Sequence, residues 1–495
     1  MAYGRSVTDQ TGEQVTLPTS INQTIKMIKA KRKVDKSRPP GRQSVGNHIG
    51  TQNIGICRQF GHHDLETGLY GLHKRLGREV PNMESPIVKL YTWYSLQLWM
   101  RHFIPLDGTE DLSFEVWIEN TNYSRNRKDE LIRLYNEIDG TFNKKYLKIK
   151  AFMKEEEYDD YLKAIRGIYA RSDEFKVLFG PIVKAMETVV YNNKCFIKHI
   201  PVADRINYIK TMLGEIPGKI IETDYSAFES SFNVQKMKLI DGRFFEFMLK
   251  NVTDANRDLY KFLYGENTIH FHDYVYKIWA MRMSGEMNTS LGNGVANWTN
   301  VNFFDDMCRL MKLHQCSIEK LATMNYDEFD CKFNTPCVIE GDDCLAVVGN
   351  DVDETLFKKM GFDIKFETRS CIEESLFCGI LGPEGHSHVL TNPIKQLIGF
   401  GWVGRRYIGA RYTTHMSLLR AKAFSLLYQY PHCPMLAVYS RRLIDITTQF
   451  HSQMLALIEK GAFDDEYKMS IIREAVRAGL PVSNILPESR ELLER

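Results

Sequence analysis

The chain has almost no net charge: 64 Lys+Arg stand against 62 Asp+Glu in 495 residues, a balance of +2. Bulk charge therefore does not mark a nucleic-acid binder, and any such surface must come from local clustering. The ten cysteines include no Cys-x-x-Cys pair and no repeated spacing, and no hydrophobic leader opens the sequence, so a reduced, cytosolic setting without disulfides is expected. Cys308, His314, Cys316, Cys331 and Cys337 form a looser cluster, but they lack the paired short spacings of a zinc site and read as buried thiols. Long apolar runs are missing too. The longest, ending at Met100, is broken by polar residues and falls short of the roughly 20 residues of a membrane span. No GxxxxGK[ST] loop and no HExxH pair occurs, which argues against a fused helicase or zinc protease. No internal repeat or low-complexity tract is present.

What is present is enough apolar material, 43% of residues, for two or three lobes rather than one domain. Between Lys26 and Arg42 lie eight Lys/Arg and one Asp, ending in a Pro-Pro-Gly break; this suits phosphate contact, and equally a solvated basic arm. Charged helical patterns dominate from about Asp129 to Arg171 and from Met416 to Arg495. Between them, short β-rich runs alternate with helices, the pattern of an α+β domain. Lys219–Glu222 follows a Pro-Gly break and reads as a strand delivering Asp224 at its end. Cys337–Glu340 and Cys344–Val348 read as two strands joined by a tight turn, with Asp342 and Asp343 at the hairpin tip.

Adjacent carboxylates resist joint ionisation unless a cation holds them. Mg²⁺ suits such a pair, because it takes carboxylate, phosphate and water oxygens. Alone, a Gly-Asp-Asp is most often just a turn. Its company changes that reading: AspTyrSerAlaPheGlu at 224–229, SerGlyGluMetAsnThrSerLeuGlyAsn at 284–293 and GluGlyAspAsp at 340–343 follow in order. This trio resembles motifs A, B and C of the RNA-dependent RNA polymerases of positive-strand RNA viruses, and the middle segment is most similar to the tombusvirus-like group.

The resemblance covers roughly 146–434. It implies a right-hand polymerase of fingers, palm and helical thumb, the palm an antiparallel sheet with an RRM-like core. The expected boundaries are an N-terminal extension and fingers over 1–217, a palm over 218–385 with a fingers insertion at about 234–283, and a thumb over 386–495. It implies two Mg²⁺ ions, with Mn²⁺ as a substitute, held by Asp224, Asp342 and Asp343 about 3.5 to 4 Å apart for in-line phosphoryl transfer. Glu229 stands where the family usually has a second Asp, keeping an acceptor for Asn293 or the ribose 2′ hydroxyl on a side chain one methylene longer. Ser284 and Gly285 begin a loop; Thr289 and Asn293 lie four apart on the helix expected to follow, able to point together at a ribose and favour ribonucleotides.

Lys163, Arg166 and Arg171 resemble the basic motif F and are expected to contact the incoming triphosphate, a charged helical face being the other reading. Lys365 matches the motif D lysine that protonates departing pyrophosphate, with Lys358 and Lys359 as rivals. Glu373–Gly379 looks like motif E, and Ser417–Pro434 like the thumb helices that grip a product duplex by shape. Arg405, Arg406 and Tyr407 suit phosphates or a solvated loop equally. His62 and His63 receive no role. The implied partners are an RNA template and product duplex, ribonucleoside triphosphates, and an auxiliary viral or host protein anchoring the enzyme at membrane-associated replication sites in the host cytoplasm. The rivals are a reverse transcriptase and a catalytically silent palm-fold protein that only binds RNA.

Overall fold

In the computed structural model the described residues are 65–78, 80–154, 157–158, 164–225, 227–272, 274–349, 353–386, 388–404, 407–461 and 466–479, with five short strands before residue 61 described as backbone. The chain is α+β, and two sheets organise it. The first is wholly antiparallel. It is built from β4 (Lys219–Tyr225), β7 (Cys337–Glu340), β8 (Asp343–Val348) and β9 (Ile364–Arg369), in the order β7-β8-β4-β9. The second has the order β1-β6-β5-β2-β3, where β1 is Lys26–Lys29, β2 Ile149–Met153, β3 Gly167–Arg171, β5 Glu266–Phe271 and β6 Tyr274–Trp279. Here only the β5–β2 pair is parallel. The chain leaves the first sheet after β4, contributes β5 and β6 to the second, and returns for β7.

Strand alternation sets the layers of the first sheet. Ile221, Cys337, Ile339, Cys344 and Ala346 face the largest core, while Val338, Leu345 and Val347 face a smaller cluster with Ile209 and Leu213. The smaller cluster includes helix α3 (Arg205–Leu213). The large core centres on α4 (Thr289–Leu313), flanked by α1 (Ser85–His102) and α2 (Asp173–Val190). A separate helical cluster gathers α5 (Tyr412–Gln429), α6 (Pro434–Ile446), α7 (His451–Glu459) and α8 (Glu466–Ala478).

Among the described residues, the segment expected to be charged helix up to Arg171 is helical over Arg125–Ile138 and in a 3-10 turn at Lys144–Leu147, and Ile149–Met153 and Gly167–Arg171 are strands. Their alternating burial shows why: Gly167, Tyr169 and Arg171 point inward, a period of two that the dense charges obscure. Of the basic segment, Lys26–Lys29 forms an edge strand antiparallel to β6, and the remainder lies outside the described residues, as do His62 and His63. Among the described residues no helix is long and apolar enough to cross a membrane, and every described cysteine is a free thiol.

Helix α4 is buried yet rich in amides and carboxylates, so its neighbours must supply partners. Tyr91 Oη donates to Asn300 Oδ1 at 2.8 Å, and Trp99 Nε1 to Thr299 Oγ1 at 3.1 Å. The Asp306 carboxylate accepts from Tyr94 Oη at 2.7 Å and from the backbone N–H of Lys332 and Phe333, each at 2.9 Å. Asp306→Ala orphans the two backbone donors, the Tyr94 hydroxyl keeping the Asn302 carbonyl at 2.9 Å, and is expected to cost about 3 kcal/mol in urea unfolding, whereas Tyr94→Phe, which leaves both backbone bonds in place, costs about 1 kcal/mol. Equal losses would show that water satisfies the two backbone donors.

Candidate active site

The register of β7 and β8 closes with Glu340 opposite Asp343, so Gly341 and Asp342 are the turn. Gly341 has φ +64°, and Asp342 is not in the left-handed region. Glycine first with positive φ is the signature of a II′ hairpin turn, whose twist matches the strands. Asp342 thus occupies the tip, partly buried, while Asp343 begins β8 and is exposed.

Helix α4 grips this hairpin at both ends. At the tip, Asn297 Nδ2 donates to the carbonyls of Gly341 at 3.3 Å and Asp342 at 2.9 Å, and Asn297 Oδ1 accepts from Tyr225 Oη at 3.2 Å. At the open end, Asn302 Oδ1 accepts the Thr335 N–H at 2.7 Å, and Asp305 accepts the Gly349 N–H at 2.9 Å and the Thr335 hydroxyl at 3.2 Å. Asn297 and Tyr225 were not singled out from the sequence. The available signal was the spacing, since Asn297 stands four residues after Asn293 and so on the same helix face.

In the sheet, β4 places Asp224 directly across from Lys365. On its other side the β4–β8 ladder reaches Thr223 opposite Cys344, one rung short of Asp224 and Asp343. The side chain of Asp224 lies outside the described residues. Of the candidate lysines, Lys365 is exposed on β9 in this register, whereas Lys359 is paired with Glu319 and Lys358 lies on the short helix Thr355–Lys359.

Glu229, on the short turn Phe228–Ser231, accepts a hydrogen bond from Asn293 Nδ2 at 3.4 Å. The longer acid therefore still reaches the amide. Asn293 is 4% exposed, and its Oδ1 has no protein partner, a buried acceptor of the kind that normally finds a donor.

Thr289 opens α4, but its hydroxyl faces the carbonyls of Met283 at 2.8 Å and Glu286 at 2.9 Å. The Thr289 proton thus closes the preceding loop. Ser284 is likewise engaged, its Oγ donating to Gly167 O at 3.0 Å while its carbonyl accepts the Tyr169 N–H at 2.7 Å. Gly285 has φ +110°, and a Cβ there would lie 2.8 Å from Ile168 Cγ2, so the loop rests on β3 only because this residue is glycine.

Arg171 is also engaged within the protein. Its guanidinium is buried, with Nε donating to Glu286 at 2.7 Å, Nη1 to Leu147 O at 3.0 Å and Nη2 to Asn267 at 2.8 Å. Arg166 is exposed just before β3 and lies close enough to influence Asp342. Lys163, Arg405 and Arg406 lie outside the described residues.

Carboxylates crowd the turn. Burial, then the charges of Glu229 and Asp343, push the Asp342 carboxyl up to about 7, with Arg166 acting in the opposite direction. Glu340 is compensated by Lys198 at 2.8 Å and Arg205 at 3.5 Å. The Phe377–Ile380 turn lies close to these acids. Cys378 (φ +51°) sits between the bridged Phe377 and Ile380, and burial raises its thiol pKa, with Asp343 and Glu340 raising it further.

Among the described residues no group of three or more His, Cys, Asp or Glu side chains is arranged as a metal site. Of the looser cluster, Cys308 and Cys337 are buried and Cys316 and Cys331 half-buried against the large core, Cys337 hydrogen-bonding to the thiols of Cys195 and Cys344. The all-oxygen donors at the turn, carrying excess negative charge in a partly desolvated place, nevertheless fit a hard divalent cation such as Mg²⁺.

The raised Asp342 carboxyl sets a testable pH dependence. Its folded pKa lies above the unfolded value, so its contribution to stability is fully present below about pH 4 and is lost as pH rises through about 7. In metal-free buffer, wild type should lose on the order of 1 to 2 kcal/mol relative to Asp342→Asn between about pH 5 and pH 8 in urea titrations. Parallel pH curves for the two proteins would refute a raised carboxyl. No protein-family model matches this sequence, and no curated protein matches it either.

Proposed function

We propose that this chain is an RNA-directed RNA polymerase of the kind encoded by positive-strand RNA viruses. The observation that carries this reading is a single helix face: Asn293 bonds Glu229, and Asn297, one turn on, bonds the carbonyls of Gly341 and Asp342. Groups suited to reading a ribose and groups suited to holding metal are thereby tied to one rigid element, as template-directed nucleotidyl transfer requires.

In the reaction, the 3′ oxygen of an RNA primer attacks the α-phosphorus of a ribonucleoside triphosphate, the bond to the β-phosphate breaks, and pyrophosphate leaves. Asp224, Asp342 and Asp343 would hold two Mg²⁺ ions, or Mn²⁺, which supply charge neutralisation for the attacking and leaving oxygens. Asn293 offers its unpaired Oδ1 to the ribose 2′ hydroxyl, and Glu229 orients the Asn293 amide. This favours ribonucleotides, because a deoxyribonucleotide leaves the buried acceptor unpaired. Arg166 faces the triphosphate, and Lys365, opposite Asp224, is the proton donor to pyrophosphate.

In this reading the first sheet is the palm, the second sheet the fingers and the α5–α8 cluster the thumb of a right hand. RNA template and product duplex lie between them, and a separate viral or host protein brings the enzyme to membranes in the host cytoplasm.

The test is extension of a primed RNA template by purified protein with Mg²⁺ or Mn²⁺. Wild type is expected to extend with ribonucleotides, Asp342→Ala to fall by at least about 10³-fold, and Asp343→Ala to fall less. A preference for deoxyribonucleotides would identify a reverse transcriptase. Tight RNA binding with no extension would identify a silent palm-fold binder.

A further inference from the structure

Beneath the loop between β6 and α4 runs a line of buried, alternating charges. Arg171 on β3 meets Glu286 in the loop, with Nη2 to Oε1 at 2.5 Å and the two side chains 4% and 6% exposed. Arg282, just before the loop, meets both oxygens of Asp241 at 2.8 Å, and its guanidinium lies 4.0 Å from the Phe232 ring centroid. Burial pushes the Glu286 carboxyl up, while Arg171 and then Arg282 pull it back. These four residues connect the β3 strand, the loop, the stretch after β6 and the helical segment after β4.

The loop's other anchors are weak by comparison: one serine hydroxyl and one backbone bond to β3. A buried ion pair with one partner removed leaves an uncompensated charge, a penalty of several kcal/mol, so the Arg171–Glu286 pair strongly favours a single seating of the loop. That seating fixes where α4 begins, since Thr289 bonds to the Met283 and Glu286 carbonyls. Asn293 follows one turn later, at 3.4 Å from Glu229. Gly292 contributes to the fit, because a Cβ there would lie 1.8 Å from Arg282 Nη1.

We infer that Glu286 is a positioning residue for nucleotide selection: clamped by Arg171, it seats the Ser284–Thr289 loop on β3 and so holds Asn293 in register with Glu229. The inference rests on the polymerase reading above. It assigns Arg171 to the same task, one step removed from the nucleotide.

The experiment compares wild type, Glu286→Gln and the double variant Arg171→Gln/Glu286→Gln, the last removing both buried charges in case the single change does not fold. Primer extension gives KM and kcat for ribo- and deoxyribonucleotides, and hydrogen exchange reads the Tyr169 amide that bonds Ser284. Expected for Glu286→Gln, or for the double variant where the single does not fold, are a ribonucleotide KM raised about tenfold, kcat within about threefold and a ribose preference reduced about tenfold. The Tyr169 amide should exchange at least about tenfold faster while strand Asp343–Val348 keeps its protection. An unchanged KM and ribose preference, or a fall in kcat with KM unchanged, would overturn the inference. If wild type extends neither nucleotide, the polymerase reading and the selection role both fall. The exchange rates then still decide separately whether Glu286 seats the loop.

Discussion

A buried helix that carries amides and carboxylates must find a partner for each of them, and helix α4 finds most of its partners in the hairpin β7–β8 and in α1. Asn297 takes the turn, while Asn302 and Asp305 take the open end. Tyr91, Tyr94 and Trp99 satisfy the opposite side. Because an unpaired buried polar group costs on the order of 1 to 3 kcal/mol, these bonds make one relative placement of helix, hairpin and α1 much better than any other. The partly buried Asp342 is held where it is by this constraint, through the bond from Asn297 to its carbonyl.

The charge distribution follows from the same scaffold. Acids with local cationic partners surround the turn: Glu340 has Lys198 and Arg205, Glu222 has Arg369 at 3.1 Å, and Glu286 has Arg171. Asp342 is partly buried and faces Glu229 and Asp343, with Arg166 opposing them more weakly, so its carboxyl is driven far above its ordinary range. Perturbed carboxylates grouped in this way are a usual mark of a functional site. The neighbouring pairs are compensated and serve as framework, which leaves the uncompensated charge at one spot suited to a divalent cation.

The sequence made some local features plain. Strands Lys219–Tyr225 and Cys337–Glu340 and the turn after Glu340 follow from β-rich runs and a Gly-Asp turn within a few residues, while the helix after the Ser284–Gly285 loop was expected from the resemblance of that segment. The helices after Met416 were equally legible from their charged helical pattern. The strand Gly167–Arg171 was not, because five residues are too few for a period of two to stand out among so many charges.

By itself, then, the sequence determined an α+β chain and the order in which its acidic and polar motifs occur, since strand, turn and helix preferences act over neighbouring residues. Which side chains those motifs leave available was decided only by tertiary structure. Arg171 is consumed by Glu286, 115 residues away, and Asn297 is assigned to a turn 45 residues on. Thr289 gives its hydroxyl to its own loop because that loop must close over β3. Burial and partner choice are properties of packed surfaces from distant segments, and no local pattern encodes them.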